Sequence, residues 1–245
     1  MSFDFRAQRL FVHEDLRAGA EIEAERGQAN YLLNVLRLKA GDPILVFNGR
    51  DGEWRAQIAP AGRKGCALMV EEQIRAQTRA PDLHYLFAPL KQARLDYMVQ
   101  KAVEMGASRL RPVITRYTQI SRVNLQRMEA NAIEAAEQCG ILTLPGIDAP
   151  AKLTNVLAAW PPVRRLIFCD EAAAVHNPAE TLASLQPGPA ALLIGPEGGF
   201  SEEERASLLR QPYVTALSLG PRTLRADTAA VAALALVQAS IGDWR

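Results

Sequence analysis

LLIGPEGGFSEEE (residues 192–204) and LSLGPRTLRADTAAVAALALVQ (residues 217–238) are the two stretches that decide the fold. Short apolar runs at residues 191–194 and 214–219 predict buried parallel strands, and each run stops at a glycine-proline pair, which cannot continue a strand ladder. Open α/β sheets bind their ligands in crevices formed by such loops. The sequence therefore predicts a ligand site at the carboxyl ends of these two strands.

The residues of the two loops favour a site over ordinary turns, although either glycine-proline pair alone indicates only a turn. Gly198 and Gly199 allow the backbone to approach a ligand closely, and Ser201 with Glu204 forms an S-x-x-E capping box that starts the next helix. The loops also place these polar residues in apolar sequence: Glu197, Arg222, Arg225, Asp227 and Thr228. Neither loop matches a Walker or a G-x-G-x-x-G motif, so an ordinary phosphate cradle is not indicated.

The composition predicts a globular cytoplasmic protein without a metal site. Of the 245 residues 49% are hydrophobic, and the longest candidate apolar run, residues 229–237, falls far short of the ~20 residues that a membrane span needs. The amino terminus, MSFDFRAQRL, carries charges where a signal peptide has its apolar core. The chain has three cysteines, Cys66, Cys139 and Cys169, and three histidines, His13, His84 and His176. They are scattered and form no C-x-x-C pair, so each cysteine is predicted to be a small buried apolar side chain.

The net charge of +1 hides a basic middle segment. Lys and Arg balance Asp and Glu at 11 each in residues 1–75, exceed them by 9 to 4 in residues 76–129, and fall below them by 8 to 12 in residues 130–245. Five arginines surround a predicted strand end in the basic segment: Arg109, Arg111, Arg116, Arg122 and Arg127. They are suited to contact a phosphate backbone, and a solvated surface explains the charge equally well.

The order of patterns along the chain predicts two domains. Residues 9–74 contain short β-like runs, a hairpin turn signal in NGRDG, and one helix over residues 28–37. The polar stretch RAQTRAPD then marks a boundary between a small β-barrel domain, residues 1–74, and a second domain, residues 75–245. The second domain alternates strands and helices, which predicts an α/β fold whose parallel sheet has helices on both faces. Its last helix is apolar nearly all round, which predicts that it is buried.

These motifs resemble those of the ribosomal RNA small subunit methyltransferase E family, which belongs to the SPOUT class of methyltransferases. GPEGGFSEEE and LGPRTLRADTA resemble the paired carboxyl-terminal motifs of the family, KQARLDYMVQKAVEMGASRLRPV and IEAAEQCG its middle segments, and YLLNVLRLKAGD with VFNGRDGEW its amino-terminal domain. The resemblance implies a PUA-like RNA-binding domain followed by a homodimeric SPOUT domain with a trefoil knot. It also implies transfer of a methyl group from S-adenosylmethionine to N3 of a uridine in 16S ribosomal RNA, or in the assembled small subunit, without a metal.

This reaction needs the N3 proton removed or the developing anion stabilised. Arg225, in the LRADT core of the motif, is the first candidate cation and Arg222 the second, while a structural ion pair of Arg225 with Asp227 or Glu197 is equally plausible. Asp227 stands where the family more often has glutamate. It is therefore expected to be a carboxylate at a helix start first and a base second.

The cofactor and RNA contacts are also assigned by resemblance. The expected cofactor contacts are mostly backbone and small apolar surface: Leu193, Gly195, Glu197, Gly199, Leu219, Gly220, Leu224 and Thr228. The expected RNA contacts are basic: Arg37, Arg109, Arg111, Arg116 and Arg122. Arg37 is equally well explained as a cation at a helix carboxyl end. Ile141 stands where the family commonly has arginine, which removes one RNA contact.

Two other functions remain open at this stage. A knotted methyltransferase of the same fold can act on a ribose 2′-hydroxyl or on a transfer RNA. Alternatively, the chain is a non-catalytic RNA-binding or assembly protein whose crevice binds no cofactor. The two intact glycine loops argue against the second alternative.

Overall fold

The computed structural model describes residues 7–61, 65–120, 122–174 and 176–244. The chain divides into two compact units, the first formed by Met1–Arg79 with Ala136–Leu144 and the second by Ala80–Ala135 with Pro145–Arg245. The first six residues, which carry part of the charged amino terminus used above, lie outside the described residues.

The first unit is built on a five-stranded sheet in the order β1-β3-β4-β5-β2. The strands are β1 Arg9–Phe11, β2 Glu21–Glu23, β3 Pro43–Phe47, β4 Glu53–Ala61 and β5 Gly65–Arg75. β1 pairs with β3 in parallel and the other neighbours are antiparallel. The order runs from one edge strand to another, and no ladder joins β1 to β2 among the residues that the structure describes. This sheet is the core of the small β-barrel domain that the sequence predicts.

The helix predicted over residues 28–37 begins at Arg26 and ends at Val35 in the structure. Helix α1, Arg26–Asn30, starts at a capping box in which the Glu25 N–H donates to the Gln28 side chain over 3.0 Å, and it continues as a π-helical turn, Tyr31–Val35. Arg37 lies beyond the end of this turn with φ 57°, a left-handed conformation that ends a helix. It is therefore not part of the last helical turn.

The second unit contains a parallel sheet in the order β12-β10-β11-β6-β7-β8. Its main strands are β6 Leu83–Phe87, β7 Arg109–Ile114, β10 Arg165–Cys169, β11 Ala190–Ile194 and β12 Val214–Leu217. The predicted last strand, residues 214–219, stops at Leu217 because its only neighbour, β10, ends opposite that residue at Cys169. Two short strands, β8 Gly146–Ile147 and β9 Ala151–Lys152, pair with the free edge of β7.

Helices cover both faces of this sheet, as the alternation of patterns predicts. The helices from residue 92 onward are α2 Gln92–Glu104, α3 Leu125–Cys139, α4 Leu153–Ala158, α5 Pro178–Ala183, α6 Glu202–Leu209 and α7 Ala226–Ile241. On one face, Leu86 and Leu193 pack in a core cluster with residues of α4 and α6. The opposite face carries Tyr85, whose hydroxyl lies 2.8 Å from the Met98 sulfur of α2, and α7 packs against both α2 and β11.

Helix α7 is fixed by one buried polar side chain. Gln238 is fully buried, and its amide donates a hydrogen bond to the backbone oxygen of Met105, at the end of α2, over 2.7 Å. Gly106, with φ 78°, closes α2 directly beneath this amide. No helix among the described residues is long and apolar enough to cross a membrane.

The cysteine prediction is partly wrong. Cys66 is buried as expected, but Cys139 is exposed at the end of α3 and Cys169 is only partly buried at the end of β10. Cysteine packs as a small hydrophobe only where its element faces a core, and these two residues end their elements instead.

Candidate functional site

Three loops enclose a crevice at the carboxyl edge of the sheet in the second unit. β10 lies between β11 and β12, so the loops after β11 and β12 are separated by the loop that follows β10. Together they surround a cavity of about 490 Å³. Ligand sites for small molecules fall between about 300 and 1,000 Å³, and in open α/β sheets they lie at this edge.

The loop after β11 brings the backbone close to the cavity. Gly199 is buried and has φ 69°, and its N–H donates to the Pro196 carbonyl over 2.9 Å, which closes a tight turn. The predicted capping box is confirmed, since the Ser201 hydroxyl accepts from the Glu204 N–H at 3.2 Å and the Glu204 carboxylate accepts from the Ser201 N–H at 3.0 Å. This box ends the loop and begins α6.

Gly195 serves a different purpose at the start of the same loop. The ring of Phe200 lies over it so closely that a Cβ at this position would overlap the ring. Phe200 in turn meets Phe168 edge to face, with ring centroids 5.0 Å apart. The absence of a side chain at Gly195 therefore lets the Phe200 ring, which lines the cavity, pack against Phe168.

The loop after β12 supplies the cations of the site. Gly220 has φ 98°, and Arg222 and Arg225 line the cavity with exposed side chains. Neither arginine side chain has an ion-pair or hydrogen-bond partner among the described residues. The alternative role of Arg225, an ion pair with Asp227 or Glu197, is therefore not what the structure shows.

The loop after β10 is the part of the site that the sequence did not predict. Asp170 is 4% exposed, its carboxylate accepts from the Arg205 guanidinium of α6 over 2.9 Å, and this bond raises the pKa of Arg205. Glu171 is exposed, and its carboxylate lies over Gly199. Burial raises the pKa of the neighbouring Cys169 thiol to about 12, which keeps it a neutral thiol at pH 7. The sequence does carry a signal for this loop, because two acidic residues, Asp170 and Glu171, directly follow the apolar strand RLIFC.

Most of the predicted cofactor residues line the crevice. Those that do are Gly195, Glu197, Gly199, Leu219, Gly220 and Leu224. Leu193 does not, because it points into the core on the face covered by α4 and α6 and is fully buried. Thr228 lies outside the cavity as an exposed residue in the first turn of α7.

Two carboxylates have structural partners. Glu197, which lines the cavity, forms an ion pair with Arg94 of α2. Asp227 lies in the first turn of α7 and accepts the Thr228 N–H at 2.9 Å. Asp227 therefore occupies the position expected for the first of its two predicted roles, that of a carboxylate at a helix start.

The five arginines predicted to surround a strand end fall into two groups, those with a carboxylate partner and those without one. Arg109 and Arg111 both bind the carboxylate of Asp148, and Arg127 binds Asp96 through hydrogen bonds that raise its pKa. Arg116 and Arg122 are exposed in the segment after β7, and their guanidinium groups have no ion pair within the described part of the chain. No group of His, Cys, Asp or Glu suited to hold a metal occurs among the described residues.

Comparisons with protein families match two separate parts of the chain. A family described as an RNA methyltransferase domain matches residues 78–238, and one described as an RNA methyltransferase PUA domain matches residues 25–70. The chain is 32% identical to ribosomal RNA small subunit methyltransferase E of Rickettsia conorii over 94% of each chain. It is 30% identical to the enzyme of that name from a Synechocystis species, over 95% of this chain and 78% of the relative.

Solved structures share the whole architecture. A methyltransferase from Legionella pneumophila, determined with bound S-adenosylmethionine, superposes with a TM-score of 0.82 at 28% identity over 96% of this chain and 98% of that one. A probable rRNA methyltransferase from Porphyromonas gingivalis gives 0.80 at 28% identity, over 97% of this chain and all of the other. The fold is thus that of these two methyltransferases, and the amino-terminal match is to a PUA domain. The threading of the carboxyl-terminal segment through a knot stays a prediction.

Proposed function

This chain belongs to the ribosomal RNA small subunit methyltransferase E family, and we propose that it transfers a methyl group from S-adenosylmethionine to N3 of a uridine in small-subunit ribosomal RNA. The observation that carries the proposal is the crevice of three loops, in which backbone and apolar residues line a cavity and two uncommitted arginines stand at its rim.

The residues of the crevice fit this cofactor. The cavity of about 490 Å³ is within the size range of small-molecule sites, and its glycine loops present backbone amides and carbonyls that suit an adenine edge. The exposed carboxylate of Glu171 and the guanidinium group of Arg222 offer partners for both charges of an amino acid group. S-adenosylmethionine supplies an electrophilic methyl group on a sulfonium, so the protein must provide alignment and charge stabilisation.

Arg225 is the residue proposed to activate the uridine. As N3 loses its proton, negative charge spreads onto O2 and O4 of the base, and a guanidinium beside either oxygen stabilises it. Arg225 is the N-cap of α7, so the helix holds its backbone while the side chain stays free in solvent. Arg222 is proposed as the second cation, for the same anion or for a phosphate. The Asp227 carboxylate accepts a hydrogen bond in the first turn of α7, so we propose that its main role is at the helix start and that its role as a base is secondary.

The RNA is proposed to contact basic residues of both units. Arg37 follows the π-helical turn in the unit that contains the PUA match, and its left-handed backbone and exposed side chain suit a contact with phosphate. In the second unit, Arg116 and Arg122 are the uncommitted candidates. Arg109 and Arg111 already share Asp148, so we expect smaller contributions from them.

We also propose a cytoplasmic homodimer. Four apolar residues of α7 are left half-buried by its own unit: Val231, Ala232, Ala235 and Leu236. A second copy of the chain is the partner that the family resemblance implies for these residues. Light scattering of the purified chain tests this, and a monomer at micromolar concentration would contradict it.

Calorimetric titration with S-adenosylmethionine, followed by methyl transfer to unmodified small ribosomal subunits, tests the proposed function. We expect saturable binding and a methyl group that mass spectrometry maps to a uridine N3. A methyl group on a ribose 2′-hydroxyl, or on transfer RNA only, would retain the enzyme class and overturn the substrate. Absence of cofactor binding would favour a non-catalytic RNA-binding protein.

Arg225→Ala tests the assignment of the cation. Removal of one donor to a developing anion lowers turnover by about 10²- to 10³-fold, and we expect that loss with cofactor affinity unchanged within about twofold. Arg210→Ala is the matched control, because Arg210 is an exposed arginine at the end of α6 that does not line the cavity. Unchanged turnover in Arg225→Ala would remove Arg225 from the mechanism.

A further inference from the structure

An exposed aromatic residue stands next to the crevice without a role in the site described above. Tyr117, in the loop after β7, is 48% exposed. Gly198 packs against it so closely that a Cβ there would lie 3.4 Å from the Tyr117 Cβ. The two neighbours of Gly198 in the chain, Glu197 and Gly199, both line the crevice. The tyrosine therefore borders the loop that encloses the proposed methyl donor.

Tyr117 is held in place by its loop rather than by its ring. The Thr115 N–H donates to the Thr118 hydroxyl over 2.9 Å and the Thr118 N–H to the Thr115 carbonyl over 3.2 Å, which makes a tight turn with Tyr117 at its tip. The N–H of Arg116 donates to the Glu204 carboxylate over 2.8 Å, so the turn is tied to the start of α6. The ring is presented on a fixed backbone, which lowers the entropy lost when a ligand binds.

A shallow depression extends from the crevice to this ring. It is lined by Pro89, Leu90, Lys91, Tyr117, Pro196 and Glu197, among others. Pro196 and Glu197 also line the crevice, so the two hollows adjoin. The hollow is small, about 20 Å³, so a planar ligand would stack on the exposed Tyr117 ring rather than enter the hollow.

Charges around the ring match the backbone of a nucleic acid. Arg116 precedes Tyr117 directly and Arg122 follows five residues later, and both side chains are exposed and uncommitted within the described part of the chain. Three other arginines of the basic segment, Arg109, Arg111 and Arg127, are held by Asp148 and Asp96. The two arginines nearest in sequence to the exposed tyrosine that have no ion pair among the described residues therefore lie on either side of it in the chain.

We propose that Tyr117 is a stacking platform for an unpaired base of single-stranded RNA, with Arg116 and Arg122 at the adjacent phosphates. Proteins that recognise single-stranded RNA stack splayed-out bases on aromatic rings, and an enzyme that modifies the Watson–Crick edge of a base must first expose that base. The inference rests on the proposed function for its choice of RNA as the ligand. It adds the residue that holds an extruded base beside the crevice.

The test uses equilibrium binding of a fluorescent single-stranded oligouridylate to the full chain at several salt concentrations. Stacking on an aromatic ring contributes about 1–3 kcal/mol per base and does not depend on salt, so we expect Tyr117→Leu to bind about 10-fold more weakly with an unchanged salt slope. Arg116→Ala and Arg122→Ala are expected to weaken binding and each to reduce the slope by about 1. Tyr117→Phe keeps the ring and is expected to bind like the wild-type chain.

Tyr97→Leu is the matched control. Tyr97 is 45% exposed on α2, where the Lys101 ammonium lies 5.5 Å from its ring centroid, and it does not line either hollow. We expect RNA affinity within twofold of wild type for this variant. Wild-type affinity in Tyr117→Leu, or a loss of the same size in Tyr97→Leu, would overturn the proposal. Absence of oligouridylate binding by the wild-type chain would overturn it too.

S-adenosylmethionine affinity separates stacking from a structural role. We expect Tyr117→Leu to keep the cofactor affinity of the wild-type chain, because leucine preserves the apolar contact with Gly198. An equal loss of RNA and cofactor affinity would show that Tyr117 supports the cofactor loop, and would overturn the proposal. Failure of the proposed function appears differently, as a wild-type chain that binds oligouridylate through Tyr117 but transfers no methyl group to ribosomal RNA.

Discussion

At the scale of single residues, the crevice depends most on the backbone conformation of Gly199. Its φ of 69° lies in the left-handed region, and a Cβ added there would overlap the carboxylate of Glu171. Both facts follow from a loop that must turn sharply between the end of β11 and the cap of α6. The glycine therefore lets the chain turn and also leaves room for the loop after β10.

We predict that Gly199→Val abolishes cofactor binding and also destabilises the protein. The left-handed conformation costs a residue with a Cβ about 1–2 kcal/mol, and a β-branched side chain adds a clash with Glu171. Chemical denaturation and calorimetry of one preparation measure the two effects. Gly188→Val is the control, because a Cβ at Gly188 meets no atom within 4 Å. Unimpaired cofactor affinity in a folded Gly199→Val protein would place the cofactor elsewhere.

Residue-level prediction from sequence succeeded where a motif stood in contiguous sequence. The glycines of both loops and the two arginines are close in the chain to the strand ends that position them, so their place at the crevice was predictable. Glu171 and Asp170 were missed because they reach the site only through the strand order, which sets β10 between β11 and β12. Leu193 was misplaced because side chains alternate between the two faces of a strand, and the phase of that alternation depends on packing.

At the scale of elements, α6 depends on its capping box. The Ser201 hydroxyl accepts the Glu204 N–H, and the Glu204 carboxylate accepts N–H groups of both Ser201 and Arg116. One helix start thus joins two loops, the one that borders the cofactor crevice and the one that carries Tyr117. Loss of the cap is expected to loosen both.

We predict that Ser201→Ala lowers the free energy of unfolding by about 1 kcal/mol, the usual cost of losing an N-cap hydroxyl. Ser201→Asp retains an acceptor and is expected to stay within a few tenths of a kcal/mol of wild type. Ser207→Ala, in the same helix, is the control for a serine outside the cap. Urea denaturation measures all three variants, and equal stability of Ser201→Ala and Ser207→Ala would show that the cap contributes nothing.

Long elements were predicted well from sequence and short ones were not. The sequence predicts helices over residues 91–105 and about 124–138, within one residue of each end of α2 and α3, because several turns of apolar periodicity and the terminal glycines define them. β8, β9, α4 and α5 have between 2 and 6 residues, too few for a period to show. The π-helical turn before Arg37 also has no sequence pattern of its own, since it differs from an α-helix only in which carbonyl each N–H reaches.

At the scale of the whole molecule, the two edges of the parallel sheet differ in character. The carboxyl edge carries the glycine loops and the crevice. The amino edge, where β6, β7 and β10 begin, carries charged residues packed around one histidine. The parallel direction of the strands was predictable from the alternation of strands and helices, whereas the order that separates these edges required the structure.

His84 is the centre of the amino-edge cluster. Its side chain is 15% exposed, and its Nδ1 atom has no hydrogen-bond partner among the described residues. Burial first, and then the guanidinium of Arg164, lowers the pKa of His84 to about 4, with smaller contributions from Arg111 and Arg109 in the same direction. Asp82, whose carboxylate lies 3.7 Å from Nε2, opposes this shift but does not cancel it.

We predict that this histidine destabilises the protein in mild acid. The unfolded chain binds a proton at His84 below pH 6.5 and the folded chain only near pH 4, so the stability present above pH 6.5 is lost as the pH falls through this window. A shift of this size corresponds to about 3 kcal/mol. In His84→Gln the loss between pH 6.5 and 4 is expected to shrink by about that amount, measured by urea denaturation at each pH, while the exposed His176→Gln behaves as wild type. The carboxylates of Asp51 and Asp96, whose pKa values are lowered by hydrogen bonds, also lose their contribution to stability in acid, but they do so in both the wild-type chain and His84→Gln, so the difference between the two profiles reports His84. An unchanged profile in His84→Gln would show that the histidine is protonated in the folded chain without cost.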